Sequence, residues 1–165
     1  VSNQEKELKK IGENLNKLIP ELQALHHKGV ERPVARYYER KEIGDILQDV
    51  LDTCEADAEQ MYRIYSTAGI REYLYEEFET FSDVRVGKGI SVRVIAIGAG
   101  GELRGLDERK WLKAENETPT YIIIYPGKTA YISLNAQREP IGVVIENEGV
   151  YQTQKIVFDS LWEKL

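Results

Sequence analysis

Leu8, Ile11, Leu15, Leu18, Leu22 and Leu25 recur at alternating spacings of three and four residues, with charged and amide residues between them. This predicts one helix from about Gln4 to Lys28, stopped by Gly29, with a narrow a/d seam along one side. Such a seam finds nothing to bury against within its own segment. The expected partner is the same helix of a second copy, which makes the chain half of a homodimer through these six positions; the other reading is a helix lying on its own domain. Pro20 interrupts the segment and removes a backbone donor. Either the helix kinks there with the seam in phase, or a fresh helix starts near Pro20; the phase carried on by Leu22 and Leu25 favours the kink.

Beyond Gly29 the periodicity changes. Residues 33–38 read as a strand, and Ile43, Ile46, Leu47, Val50, Leu51 and Cys54 mark one face of a helix ending near Ala56. Gln60 to Tyr65 reads as a strand, followed by a helix from about Ile70 to Phe81, capped by Ser66 or Thr67, with Ile70, Tyr73, Leu74, Phe78 and Phe81 facing inward. The Val- and Ile-dense stretch from Ile90 to Ile97 predicts a central strand covered on both faces. A loop with Gly98, Gly100, Gly101 and Gly105 and a short helix around Asp107–Lys113 come next. Tyr121–Tyr125 and Thr129–Leu134 form a hairpin about Pro126-Gly127-Lys128, Ile141–Glu146 is a last strand, and a helix with a Val157, Phe158, Leu161, Trp162, Leu165 stripe closes the chain. The order predicts an α/β fold: a mixed sheet, parallel in its first half, with helices on both faces. Residues 1–30 form the coiled-coil dimerisation helix and residues 31–165 the α/β domain.

An apolar content of 42% suffices for a core. The 28 acidic against 22 basic residues, a net charge of −6, argue against nucleic-acid binding by this chain's own surface. The charge is uneven. Glu39 to Asp83 holds thirteen Asp/Glu against four Lys/Arg, a solvated helical face, whereas Arg85 to Lys113 holds seven Lys/Arg against three Asp/Glu and brackets the glycine loop. The single cysteine, Cys54, lies on an apolar helix face and reads as core in a reducing, cytoplasmic setting. No apolar run approaches the ~20 residues of a bilayer span, so no membrane association is expected.

Gly98-Ala99-Gly100-Gly101 stands where a dinucleotide fingerprint would, but Leu103 replaces its third glycine. Gly87-Lys88 and Gly127-Lys128 lack the earlier glycine of a phosphate-binding loop. The two histidines, His26 and His27, have no ligand partner at metal spacing, and the α/β region has none at all. Hydrolase chemistry then lacks its usual base, and no cofactor, metal or catalytic residue is expected. Polar groups nevertheless converge on the strand ends: Ser66, Thr67, Arg93, Gly98, Arg104 and Arg109. Arginine suits carboxylate or phosphate, and helix starts after Thr67 and Asp107 would add donors. These residues form the candidate site for a small effector, a sugar or an anion; alternatively the arginines pair with the acidic helices.

The ordered set Pro33-Val34-Ala35-Arg36-Tyr37-Tyr38-Glu39, Met61 to Ser66, Gly89 to Arg93, Tyr121 to Leu134, Ile141 to Glu146 and Gln154 to Trp162 resembles the C-terminal region of the TrmB-like transcriptional regulators, from about Leu18 onward. The resemblance implies an N-terminal winged helix-turn-helix, a coiled-coil linker and a phospholipase D-like regulatory domain. The start at Val1 rather than Met fits a DNA-binding module lying upstream, so DNA would be bound only through that part. The family's archaeal sugar sensors add a β-rich C-terminal domain that the residues up to Leu165 do not include, and no sugar-binding residue is carried over. Phospholipase D enzymes use H-x-K-x-x-x-x-D on the strand entering a hairpin; here Pro119, Tyr121 and Pro126 occupy those positions, and none can serve. The expected function is therefore the non-catalytic dimerisation and effector-sensing domain of a TrmB-like regulator. A divergent phosphodiesterase and a ligand-free dimerisation scaffold are the alternatives. An open polar cavity near Ser66, Gly98 and Arg109 would favour sensing, and one filled by Tyr or Trp111 would favour the scaffold.

Overall fold

The computed structural model describes residues 2–29, 33–99, 101–116 and 118–165, without the side chains of residues 2 and 21–29. The chain divides into two compact units, Val1–Pro33 and Val34–Leu165. The first is one helix, α1 (Ser2–Gly29), which runs through Pro20 without a break. Leu8, Ile11, Leu15 and Leu18 are exposed on it. The side chains of the expected seam positions Leu22 and Leu25, and Gly100 of the glycine loop, lie outside the described residues.

The second unit is a seven-stranded mixed sheet carrying helices. Its elements are β1 (Val34–Tyr38), α2 (Ile43–Ala56), β2 (Met61–Thr67), α3 (Ala68–Leu74), α4 (Phe81–Gly87), β3 (Ser91–Ile97), β4 (Asp107–Leu112), β5 (Thr120–Tyr125), β6 (Lys128–Leu134), β7 (Pro140–Glu146) and α5 (Glu148–Lys164). The strand order is β1-β7-β6-β5-β2-β3-β4. Only the β2–β3 and β3–β4 pairings are parallel; every other pairing is antiparallel. The first strand thus departs from the expected parallel half: β1 joins the far edge against β7, Val34 opposite Glu146.

Because side chains alternate across a strand, the sheet has two distinct faces. On one, Tyr62, Val92, Val94 and Ile123 pack under the fully buried stripe Ile43, Ile46, Leu47, Val50, Leu51 and Cys54 of α2. On the other, Ile95 and Ile124 pack against Phe158 and Trp162 of α5. That helix buries Tyr151 as well, while Val157 and Leu165 of the expected stripe are exposed.

Two sequence expectations are corrected here. The single helix over Ile70–Phe81 is two short ones, α3 and α4, separated by a turn at residues 75–80. The segment Asp107–Leu112 is a strand instead of a helix, hydrogen-bonded in parallel to β3 with Val94 opposite Arg109. It is the edge of the sheet, where charged side chains are tolerated and discourage further pairing, so it lacks the apolar alternation that marks an inner strand. Among the described residues no helix is long and apolar enough to cross a membrane.

Candidate functional site

The parity of β2 and β3 decides what lines the face of the sheet that α2 covers. Tyr62, Ile64 and Ser66 of β2 and Val92 and Val94 of β3 point to it, and Tyr121 joins them from β5. Together with α3, α4 and the loop before β4 they enclose a cavity of about 290 Å³. Four arginines reach it: Arg71 from α3, Arg85 from α4, Arg104 from the loop and Arg109 from β4.

These arginines are held differently. Arg85 is 3% exposed and structural: its Nη1 donates to the Ile90 carbonyl at 2.9 Å and its Nη2 to the Gly105 carbonyl at 2.7 Å, which fastens the loop under the sheet edge. Arg71 Nε donates to Ser66 Oγ at 2.8 Å, but its Nη2 is buried with no acceptor among the described residues. Arg109 is in the same condition at both Nε and Nη1. Burial, then the nearby Arg109 charge, lowers the Arg71 guanidinium from its usual proton affinity. Arg104 is exposed at the rim.

Gly101 explains how the two unpartnered guanidiniums come together. Its φ is +97°, which few side-chain-bearing residues adopt. A Cβ there would fall 2.6 Å from Arg109 Cζ and 2.9 Å from Arg71 Nη1, so a side chain would push the ends of both guanidiniums aside. The hydroxyls of Tyr75 and Tyr121 meet at 3.1 Å on the cavity wall. Burial raises both phenols, so both are neutral hydroxyls at neutral pH.

Of the residues singled out from sequence, Ser66, Arg104 and Arg109 line this cavity. Thr67 does not: its hydroxyl donates to the Thr120 carbonyl and accepts from the Thr120 N–H, tying β2 to β5 instead of capping α3. Arg93 projects to the opposite face, over the Trp162 ring at 5.6 Å. Gly98 lines a separate hollow with Trp111 and Lys113. The expected helix start after Asp107 does not exist; Asp107 instead accepts from the backbone N–H groups of Arg104 and Gly105. Arg71 and Tyr75 were missed by sequence reading; Arg71 lies on α3 and Tyr75 is the residue after its last turn, four positions on. Among the described residues no group of three or more His, Cys, Asp or Glu could hold a metal ion.

Comparison with solved structures places this architecture beside two others. The chain is similar to TrmBL2, an archaeal chromatin protein whose structure shows a novel mode of DNA binding, at 15% identity and a TM-score of 0.50. That alignment covers 99% of this chain and 66% of TrmBL2, so the chain spans about two thirds of that protein. It is also similar to NucT from Helicobacter pylori, at 12% identity and a TM-score of 0.54, over 80% of this chain and 97% of NucT. At such identities the likeness is one of fold. No protein-family model matches the chain, and neither does any curated protein.

Proposed function

We propose that the chain is the dimerisation and effector-sensing part of a TrmB-like DNA-binding transcriptional regulator, built on a phospholipase D-like α/β domain that does no chemistry. The observation that carries this reading is the reach of the TrmBL2 likeness: 99% of this chain, and so helix α1 together with the sheet domain. TrmBL2 is described as a DNA-binding chromatin protein, and the DNA-reading part of this regulator lies outside the 165 residues. Helix α1 supplies the dimer seam through Leu8, Ile11, Leu15 and Leu18, all exposed in the single chain, continued by Leu22 and Leu25.

The absence of chemistry is argued from the position that a phospholipase D enzyme gives to its lysine. Tyr121 stands there, buried, neutral and hydrogen-bonded to Tyr75. The open, arginine-rich cavity beside it favours a sensing role over a filled scaffold. A ligand that binds one arrangement of α3 and the loop better than another shifts the dimer toward it, and the spacing of two DNA-reading heads follows dimer geometry.

Light scattering of the chain beside a Leu15→Lys, Leu18→Lys double variant tests the reading. The expected result is a dimer for the wild type and a folded monomer for the variant. A monomeric wild type at tens of micromolar sinks it.

A further inference from the structure

The cavity beneath α3 carries more positive charge than the protein around it neutralises. Among the described residues no ion pair involves Arg71 or Arg109, whereas Arg40, Arg63, Lys88, Lys128 and Lys155 each meet a carboxylate. Of the acids that line the cavity, Asp107 is occupied by the loop's backbone N–H groups, and Glu72 and Glu102 are exposed at its mouth. Three buried nitrogens of the two guanidiniums, Arg71 Nη2 and Arg109 Nε and Nη1, have no acceptor among the described residues. Buried N–H groups without partners and two like charges side by side both cost stability, and a chain retains such an arrangement where a ligand compensates for it.

We propose that this cavity binds a phosphate group, as inorganic phosphate or as a small phosphomonoester, on the unpartnered guanidinium nitrogens of Arg71 and Arg109. The inference rests on the reading of this cavity as an effector site and names the chemistry of its ligand. Two cations call for two negative charges, and open donors on two separate guanidiniums call for acceptor oxygens on more than one side of the ligand. A phosphate dianion offers both, while one carboxylate leaves a guanidinium unmatched. The volume of about 290 Å³ stands at the lower end of the ~300–1,000 Å³ of small-molecule pockets, so the ligand is a small metabolite and not a polymer segment. Phe81, Ile64 and Val94 give its carbon body an apolar wall, and the paired tyrosine hydroxyls give one further donor.

Calorimetric titration of the whole chain with sodium phosphate, glycerol phosphate and acetate tests this at constant ionic strength. The pH is held near 8, where the second proton of a phosphomonoester (pKa about 6) is off and inorganic phosphate is mostly the dianion. The expected result is one saturable site per chain, with phosphate or its ester at least tenfold tighter than acetate. Tighter binding of the ester assigns a phosphorylated metabolite, and tighter binding of free phosphate assigns the ion itself. Arg109→Gln and Arg71→Lys should each weaken binding at least tenfold, and Arg40→Gln, which alters an exposed ion pair, should leave it unchanged. Melting without ligand separates a ligand site from a structural one: removing one of two unpaired like charges should leave the melting temperature of Arg109→Gln unchanged or higher. Equal binding by wild type and Arg109→Gln overturns the proposal, as does a lowered melting temperature without any phosphate uptake by the wild type. A dimer that ignores phosphate sinks the ligand assignment alone, and a monomer that binds it sinks only the dimeric-regulator reading.

Discussion

Cys54 is fully enclosed on the inner side of α2, and its thiol is pushed from the ordinary 9.0 up to about 12, first by burial and then by the Asp57 and Asp49 carboxylates. Burial likewise raises Tyr62 and Tyr121 well above 10.0 and raises Tyr75. In each case the neutral form is favoured by the fold, so the folded protein holds its proton after the unfolded chain has lost it. The stability contributed by these groups is complete below the unfolded values and is lost as pH rises toward the folded ones. The midpoint of urea unfolding should therefore hold steady from neutrality to about pH 8.5 and fall progressively above pH 9. Cys54→Ala should flatten the first part of that fall, between the ordinary values of 9.0 for the thiol and 10.0 for the phenols. A midpoint that stays level to pH 11 would contradict the burial of these residues.

Helix α5 is fastened to the far face of the sheet by polar as well as apolar contacts. Arg63 Nε and Nη2 donate to the two Asp159 oxygens at 2.7 and 3.2 Å, Lys110 Nζ donates to the Trp162 carbonyl at 2.7 Å, and Phe158 stacks on Trp162. The Arg63 side chain is 5% exposed, so removing its partner leaves a charge with neither water nor acid. Asp159→Ala should cost about 2–3 kcal/mol in chemical denaturation, and the double change Arg63→Met, Asp159→Leu should recover most of it. A single variant as stable as the wild type would show that the bridge does not hold the helix.

The same elements show what sequence could reveal. The spacing of Ile43 to Cys54 placed α2 because every residue of that stripe is buried, and the central strand β3 was legible from its Val and Ile density. Strand β4 was not, since an edge strand of Asp107, Glu108, Arg109 and Lys110 offers no alternation of apolar residues. In the cavity, Ser66 stands at the carboxyl end of β2, where ligands gather in α/β folds, whereas Arg109 reaches it from the middle of β4. Arg71 reads as an ordinary solvated helix charge until its burial is known. Arg93 was misplaced although the signal existed: Val92 and Val94 flank it, so strand parity sends it to the other face.

For the molecule as a whole, the buried core runs from Ile43 to Trp162, wholly inside the Val34–Leu165 unit. Among the described side chains of helix α1, Leu8 is 68% and Leu15 55% exposed. A helix of 28 residues with an interior proline is poorly stable alone in water, because nucleation is costly and Pro20 removes one hydrogen bond at a cost of about 3 kcal/mol. In the proposed dimer its helicity comes from packing, with the seam set against a second copy. Helical circular dichroism should consequently fall on dilution as the dimer dissociates, whereas tryptophan fluorescence, which reports Trp111 and Trp162, both in the sheet unit, should stay constant. The Leu15→Lys, Leu18→Lys variant should show the low helical signal at every concentration with the same fluorescence. Helicity that is independent of concentration, in a chain whose mass is that of a monomer, would mean that α1 is stabilised within its own chain and that two copies do not meet through it.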